Sequence, residues 1–521
     1  MRRSLFILNS TRGRTPAVFG PPTESRLDQD LDSGVSPLNF RRTALLVAPL
    51  SLLLISLPAA ATPSAPQWHS AKVVRLPSGA TGLPNGFLPA LSCPSSGNCS
   101  AGGSYSDRSG SVQGLLLSEV RGVWKAPTRL LPPSQARADP ALTINSLSCA
   151  TAGNCAAVGS FEDTHRNGQS FVATEIRGRW TRAQEVKLPS GAGSSVQNSQ
   201  IHSVECWSTG NCSAIGSYSD NTSPTGYAQG LEINEVRGVW GRARKIVLPT
   251  DANVDPYVDI NQVACTHAGN CVAVGSYISR DNATEGLIIT EARGTWKDAA
   301  AAVLPGNASA YPSAMLSEVT CVSTNNCTAI GTYTDVDGDV EAMSVNETHA
   351  VWARALAMVM PSGAAANSHA FFYGYGGLTC PSIGNCSAGG QYLVGTSSYE
   401  GFFINEVKGT WEPATEMVLP AGAAMAGKNG GVVAVSCRSA GNCSAGAAYL
   451  DSSSKYQALI VNEVQGRWEA GQRITLPTAN NTVGVDGGVY GLICHATGPC
   501  TATGSYLKTL TNYEGFTVTT S

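Results

Sequence analysis

The sequence is short of charge. Only 14% of its 521 residues are Asp, Glu, Lys or Arg, and the net charge is −3. That balance supplies no basic stripe, so nucleic acid is not expected as a partner. The chain is equally short of recognisable catalytic chemistry. It contains no nucleophile elbow, phosphate-binding loop, His-Glu-x-x-His pair or dinucleotide fingerprint. No catalytic, cofactor-binding or metal-binding residue is therefore assigned, and no cofactor is expected.

An unpaired cysteine is missing too. All sixteen cysteines fall into eight pairs five residues apart: 93/99, 149/155, 206/212, 265/271, 321/327, 380/386, 437/443 and 494/500. Each pair brackets a turn, as in Cys206-Trp207-Ser208-Thr209-Gly210-Asn211-Cys212. Zinc would need four ligands, and only two of the eight loops hold a histidine, His267 and His495. Disulfides therefore close Cys93–Cys99, Cys149–Cys155, Cys206–Cys212, Cys265–Cys271, Cys321–Cys327, Cys380–Cys386, Cys437–Cys443 and Cys494–Cys500. Such a framework belongs in an oxidising compartment.

The N-terminus agrees with export. Residues 1–42 are polar and lack apolar periodicity, which predicts a disordered leader. Residues 43–61 read as a signal peptide: a basic Arg41-Arg42 flank, an apolar run, then Pro58-Ala59-Ala60-Ala61. The alternative is an uncleaved membrane anchor with the remainder outside. The run is barely long enough to span, and Pro49 interrupts it. The predicted mature protein is secreted, monomeric and begins near Thr62.

Residues 62–521 are a repeat of about 57 residues. Ala stands two residues after every second cysteine, Gly four after in all units except the one with Ala447, and an aromatic six after in all eight. In the third unit, 201–206 predicts a strand A, Gly210-Asn211 a tight turn, and 212–218 a strand B. Strand C follows at 230–236, and Arg237-Gly238 turns the chain into strand D at 239–248, which begins near Trp240 and ends at Leu248-Pro249. Four short antiparallel strands per unit describe a propeller blade. The small residues of strand B are expected to admit a neighbouring blade, and the aromatics to fill the space between blades.

The ends predict how the ring closes. The last unit stops at Ser521 without a strand D, while residues 68–77, Trp68 to Pro77, match a strand D at the other end. An open stack has no need of that offset; a ring removes its exposed edge by it. The expected fold is all-β: an eight-bladed β-propeller whose N-terminal strand completes the last blade.

The A–B and C–D turns scarcely vary, whereas the D–A and B–C loops do, which marks the latter face for binding. Its candidates are Asp251, Asp255, Tyr257 and Asp259 in one loop, and Phe371, Phe372, Tyr373 and Tyr375 in another. Asp335, Asp337, Asp339 and Glu341 alternate as calcium ligands do, although the glycine is misplaced and no helices flank them. Seven glutamates five residues before the tryptophans (Glu119, Glu175, Glu235, Glu291, Glu347, Glu406 and Glu463) are expected to stabilise the C–D turn.

The hairpin Cys…Gly-Asn-Cys-x-Ala-x-Gly-x-Tyr, followed by Glu-x-x-Gly-x-Trp, resembles a repeat of secreted actinobacterial proteins of unassigned function. The resemblance covers residues 68–521 and implies a propeller with no particular activity. Sialidase and kelch propellers are more loosely similar, but the Ser-x-Asp-x-Gly-x-x-Trp box of sialidases is absent. The function expected is binding of a glycan or extracellular protein on the variable face. The alternatives are a carbohydrate-active hydrolase or lyase at the central mouth, and a structural envelope protein.

Overall fold

The computed structural model describes residues 65–81, 85–192, 198–220, 228–267, 269–374, 376–424, 429–477, 487–509 and 512–521. The leader and signal segment lie outside the described residues. The chain divides into Met1–Ala61 and Thr62–Ser521, and the second is a compact unit. It is built of eight antiparallel sheets, one per repeat. No helix among the described residues is long and apolar enough to cross a membrane.

The third blade shows the pattern: strand A is Ser199–Ser208, B Asn211–Ser219 and C Ala228–Val236. Strand D differs from the expected continuous strand. It pairs at Val239–Trp240, leaves the sheet, and pairs again at Arg244–Lys245. In the interruption the Ala243 N–H donates to the Lys187 carbonyl of the preceding blade, at 3.0 Å. The break therefore converts one backbone donor from the sheet to the seam.

Strand A carries a bulge in the same place in six of the blades, as between Ile201 and Ser203 and between Ile260 and Gln262. This bulge explains the strand-B glycines. A Cβ on Gly216 would strike the Gln200 carbonyl oxygen of the same blade, and one on Gly275 the Asp259 carbonyl. The glycine thus accommodates its own blade's bulge, where the approach of a neighbouring blade was expected.

The innermost strands pack in chain order around a ring, and Gly487–Ile493 of the last blade packs against Phe87–Ser95 of the first. The last blade is completed as its ends foretell: Lys72 pairs with Thr517, Val73 with Phe516 and Trp68 with Thr520. This is an eight-bladed β-propeller. Its core is a set of seams between blades; in one, Ala156, Val158 and Val172 of the second blade pack with Ile201, Tyr218 and Ile233 of the third, and Trp240 covers the edge.

All eight disulfides form, with Cα–Cα distances of 3.8–4.3 Å, and no free cysteine remains. The repeated glutamates face the seams rather than the C–D turns. Glu235 accepts from Thr174 (2.7 Å), Glu406 from Asn346 (2.7 Å) and Glu463 from Asn405 (2.6 Å), each donor on the preceding blade.

Candidate functional site

The channel at the ring's centre is where eightfold regularity fails. Serines stitch adjacent strands A: Ser92 accepts the Cys149 N–H, Ser148 that of Cys206, and Ser436 that of Cys494, all at 2.9–3.0 Å. In the six bulged blades the residue four before the first cysteine sits at the bulge, which re-aims its side chain. Across all eight blades, in chain order, that position is Pro89, Asn145, His202, Asn261, Ser317, Gly376, Val433 and Tyr490. The polar members occupy blades two to five.

Two connected cavities follow. The inner one, about 370 Å³, is lined by strands A and includes Asn145, His202, Glu205, Gln262 and Ser436. The outer one, about 390 Å³, opens at the D–A/B–C face and includes Phe87, Asn145, Gln200, His202, Asn261 and Tyr373. The variable face and the channel mouth therefore coincide. Asn145 and Asn261 donate to the carbonyls of Ile201 and Leu316 on the next blade, at 3.0 and 2.9 Å. Their oxygens are left for a ligand.

Aromatic rings occupy the other side of the mouth. Phe87 meets Tyr490 edge-on at 5.1 Å, and Phe371 meets Tyr373 edge-on at 5.4 Å. Tyr373 donates its hydroxyl to Gln391 at 2.5 Å, and Tyr456 and Tyr490 lie near enough to act on it electrostatically. Burial, with these two neighbours, raises its pKa well above the ordinary tyrosine value.

Tyr373 belongs to a segment unlike its counterparts. Strand A of this blade shortens to Leu378–Ser382, and the backbone of Gly374, Gly376 and Gly377 lies against Glu318 of the previous blade. The Glu318 carboxylate accepts from Gly374 (3.1 Å) and Leu378 (2.9 Å), with Gly376 and Gly377 also donating. Burial nevertheless pushes Glu318 up to about 7. Burial likewise raises Glu205 to about 7, against the opposing bond from Ser148. His202 is shifted down by burial, which outweighs the Asp259 carboxylate beside it.

The candidates read from sequence divide accordingly. Tyr373 lines the mouth, and Asp259 lies close enough to His202 to act on it electrostatically. Asp251 accepts from the Tyr277 hydroxyl at 3.0 Å, as Asn307 does from Tyr333 at 2.9 Å in the next blade, so it supports the loop. Asp255 is half-buried, and its backbone N–H donates to Asn253; burial, then Asp220, raises its pKa. Tyr257 is exposed, Phe372 is buried edge-on against Phe402 at 5.6 Å, and Tyr375 lies outside the described residues.

The Asp335 carboxylate accepts the N–H groups of Asp337 and Asp339, both at 3.0 Å. Asp107 and Asp451 do the same for serine and lysine amides in their own loops, so this is the common B–C turn. Glu341 turns away to Ser368. Among the described residues, the one group with three potential metal-ligand atoms within 4.8 Å of one another is Cys437, Cys443 and Glu463, and its sulfurs are bonded together.

Sequence reasoning passed over Asn145, His202, Glu205, Asn261 and Glu318. For Asn145, His202 and Asn261 the available signal was the position four before the cysteine, where the strand A repeats disagree most.

No family model matches the chain, and no curated protein matches it. Among solved structures, it is similar to an ulvan lyase bound to -[GlcA(1-4)Rha3S]- (10% identity, 70% of this chain and 89% of that one, TM-score 0.42). It is also similar to Trypanosoma rangeli sialidase with sialic acid (10%, 69% and 56%, 0.34) and to a xyloglucanase from Xanthomonas campestris (10%, 86% and 81%, 0.33). Likeness at this level carries no functional information.

Proposed function

We propose that the protein is a secreted or cell-surface binding propeller that holds a glycan chain end at the mouth of its central channel. The observation that carries this reading is the two-sided mouth. Phe87, with Tyr490 packed edge-on against it, and Tyr373 line the same cavity as Asn145, His202 and Asn261. Sugars present apolar C–H faces and a rim of hydroxyls, and concave sites with few polar groups among apolar ones take such ligands. No Lys or Arg is among the described residues that line either cavity, while Glu205 is. The site therefore suits neutral or amine-bearing sugars and disfavours uronates and sialates. The eight disulfides support an oxidising place outside the cell.

A glycan and cell-wall polysaccharide array with the full chain tests this. Binding should be lost about tenfold in Tyr373→Ala and in His202→Ala, with the thermal melt retained. Binding that neither substitution alters would remove the mouth as the site. A second reading, cleavage of the bound chain, has one observation in its favour: Glu205, with a pKa near 7, faces the inner cavity. Product release from any bound polymer, abolished in Glu205→Gln, would move the protein to that class.

A further inference from the structure

The opposite face carries cations where turn geometry asks for something else. The first residues of the seven C–D turns are Arg121, Arg177, Arg237, Arg293, His349, Lys408 and Gln465, with φ of 51–55°. Glycine, asparagine and aspartate tolerate that left-handed region best. Five of the seven are nonetheless Arg or Lys.

The backbone here is fixed from the neighbouring A–B turn. The Asn98, Asn154, Asn211 and Asn385 side-chain oxygens accept the N–H groups of Arg121, Arg177, Arg237 and Lys408, at 3.1–3.2 Å. The five cationic side chains are exposed, and among the described residues no hydrogen bond or ion pair engages their charged ends. Exposed aliphatics flank them: Val123, Ile176, Val236, Val239 and Val407.

The charge is one-sided. The residues between the paired cysteines and the C–D turns include Arg179, Arg438 and Arg467 besides those named, and no Asp or Glu. Glu412 and Glu469 follow the tryptophans of two D strands. The B–C loops on the other face are mixed instead, with Asp107, Asp163, Asp335 and Asp451 beside Arg108, Arg166, Arg280 and Lys455.

We propose that this disulfide-bearing face docks flat on an anionic lipid bilayer. Repeated turns of equal length bring their cations to one level around the ring, which matches a plane of charge. A single polymer strand would meet only an arc of it. The valines and isoleucine beside the cations add apolar tips at headgroup depth, as amphipathic interfacial segments do. The channel mouth then points away from the surface.

The test is sedimentation of the full chain with vesicles of equimolar phosphatidylglycerol and phosphatidylcholine. Binding should be absent with phosphatidylcholine alone and fall with salt. Arg121→Asn, Arg177→Asn, Arg237→Asn, Arg293→Asn and Lys408→Asn together suit the turn backbone, so the fold survives; binding should drop by about a hundredfold or more. Lysine at the four arginine positions should restore it. Equal binding to neutral vesicles, unchanged binding by the asparagine variant, or tighter binding to soluble polyphosphate than to the vesicles would each overturn the proposal.

Discussion

Glu463 shows what the repeated glutamates cost and what they supply. It is almost fully buried in the seam between two blades, one oxygen held by Asn405, and burial raises it to about 7. A carboxyl whose folded pKa exceeds its unfolded value binds more protons when folded. Its contribution is therefore fully present below about pH 4.5 and lost as pH rises through 7. Glu463→Gln keeps the acceptor for Asn405 and removes the titration. It should flatten the stability profile between pH 5 and 8 and add up to about 3 kcal/mol at pH 8, measured by urea unfolding at both ends. A parallel profile in the variant would assign the slope to another group. Glu318 has a different task, since its carboxylate gathers several backbone amides beneath Tyr373. In Glu318→Gln an NH2 faces those N–H groups, so the Gly374 and Leu378 amides should exchange hydrogen at least tenfold faster.

The hairpin of strands A and B is the element on which both faces depend. Gly238 N–H donates to the Gly210 carbonyl at 2.8 Å and Arg237 N–H to Asn211 at 3.1 Å, so the A–B turn positions the C–D turn. Removing one clamp by Cys206→Ala with Cys212→Ala should cost about 2–2.5 kcal/mol for its short loop; a loss below about 1 kcal/mol in chemical denaturation would mean the turn bonds suffice without it. These elements were legible in the sequence because Cys, Gly-Asn, Ala and the aromatic recur at fixed offsets. What was not legible follows from the same repetition. The bulge opposite Gly216 brings the Gln200 carbonyl to where a Cβ would stand, which no pattern of apolar residues records. His202 and Asn261 line the channel through that bulge, so they carry no repeat signature. Asp251 looked like a ligand residue because an isolated carboxylate on a loop does not reveal that Tyr277 holds it. The interruption of strand D was hidden too, since Ala243 donates to another blade rather than to its own sheet.

At the scale of the ring, the seams are not equal. Seven have a backbone bond from the broken strand D to the preceding blade, donated by Ala71, Ala183, Ala243, Ala299, Ala355, Ala414 and Gly471. In the first blade the same position is Pro127, which has no N–H, so the Arg75 carbonyl across the closing seam receives no such bond. That seam also has the smallest core among the described residues: Val74, Leu88, Ala101, Tyr105, Leu115 and Leu117. The ring should therefore open first there, and the Gly86 amide, bonded to Tyr513 across it at 2.8 Å, should exchange faster than the Leu142 amide bonded to Val112 across the next. The outer edge of the last blade, on one side of this seam, is held by the strand from the other end of the chain. Lys72 and Val73 pair with Thr517 and Phe516, Ser521 N–H reaches Gln67, and the Trp68 indole donates to Asn462 of the seventh blade at 3.2 Å. A chain beginning at Gly79 loses all of these together, and the missing tryptophan alone should cost about 3–5 kcal/mol. Deleting residues 1–61 should leave the melt unchanged, because nothing in their sequence carries the repeat. Residues 68–79 moved behind Ser521 on a short linker should restore it, since the strand is required but its covalent position is not. Thermal melts of the three chains decide the point: if the one beginning at Gly79 melts with the one beginning at Thr62, the ring does not depend on this strand for closure.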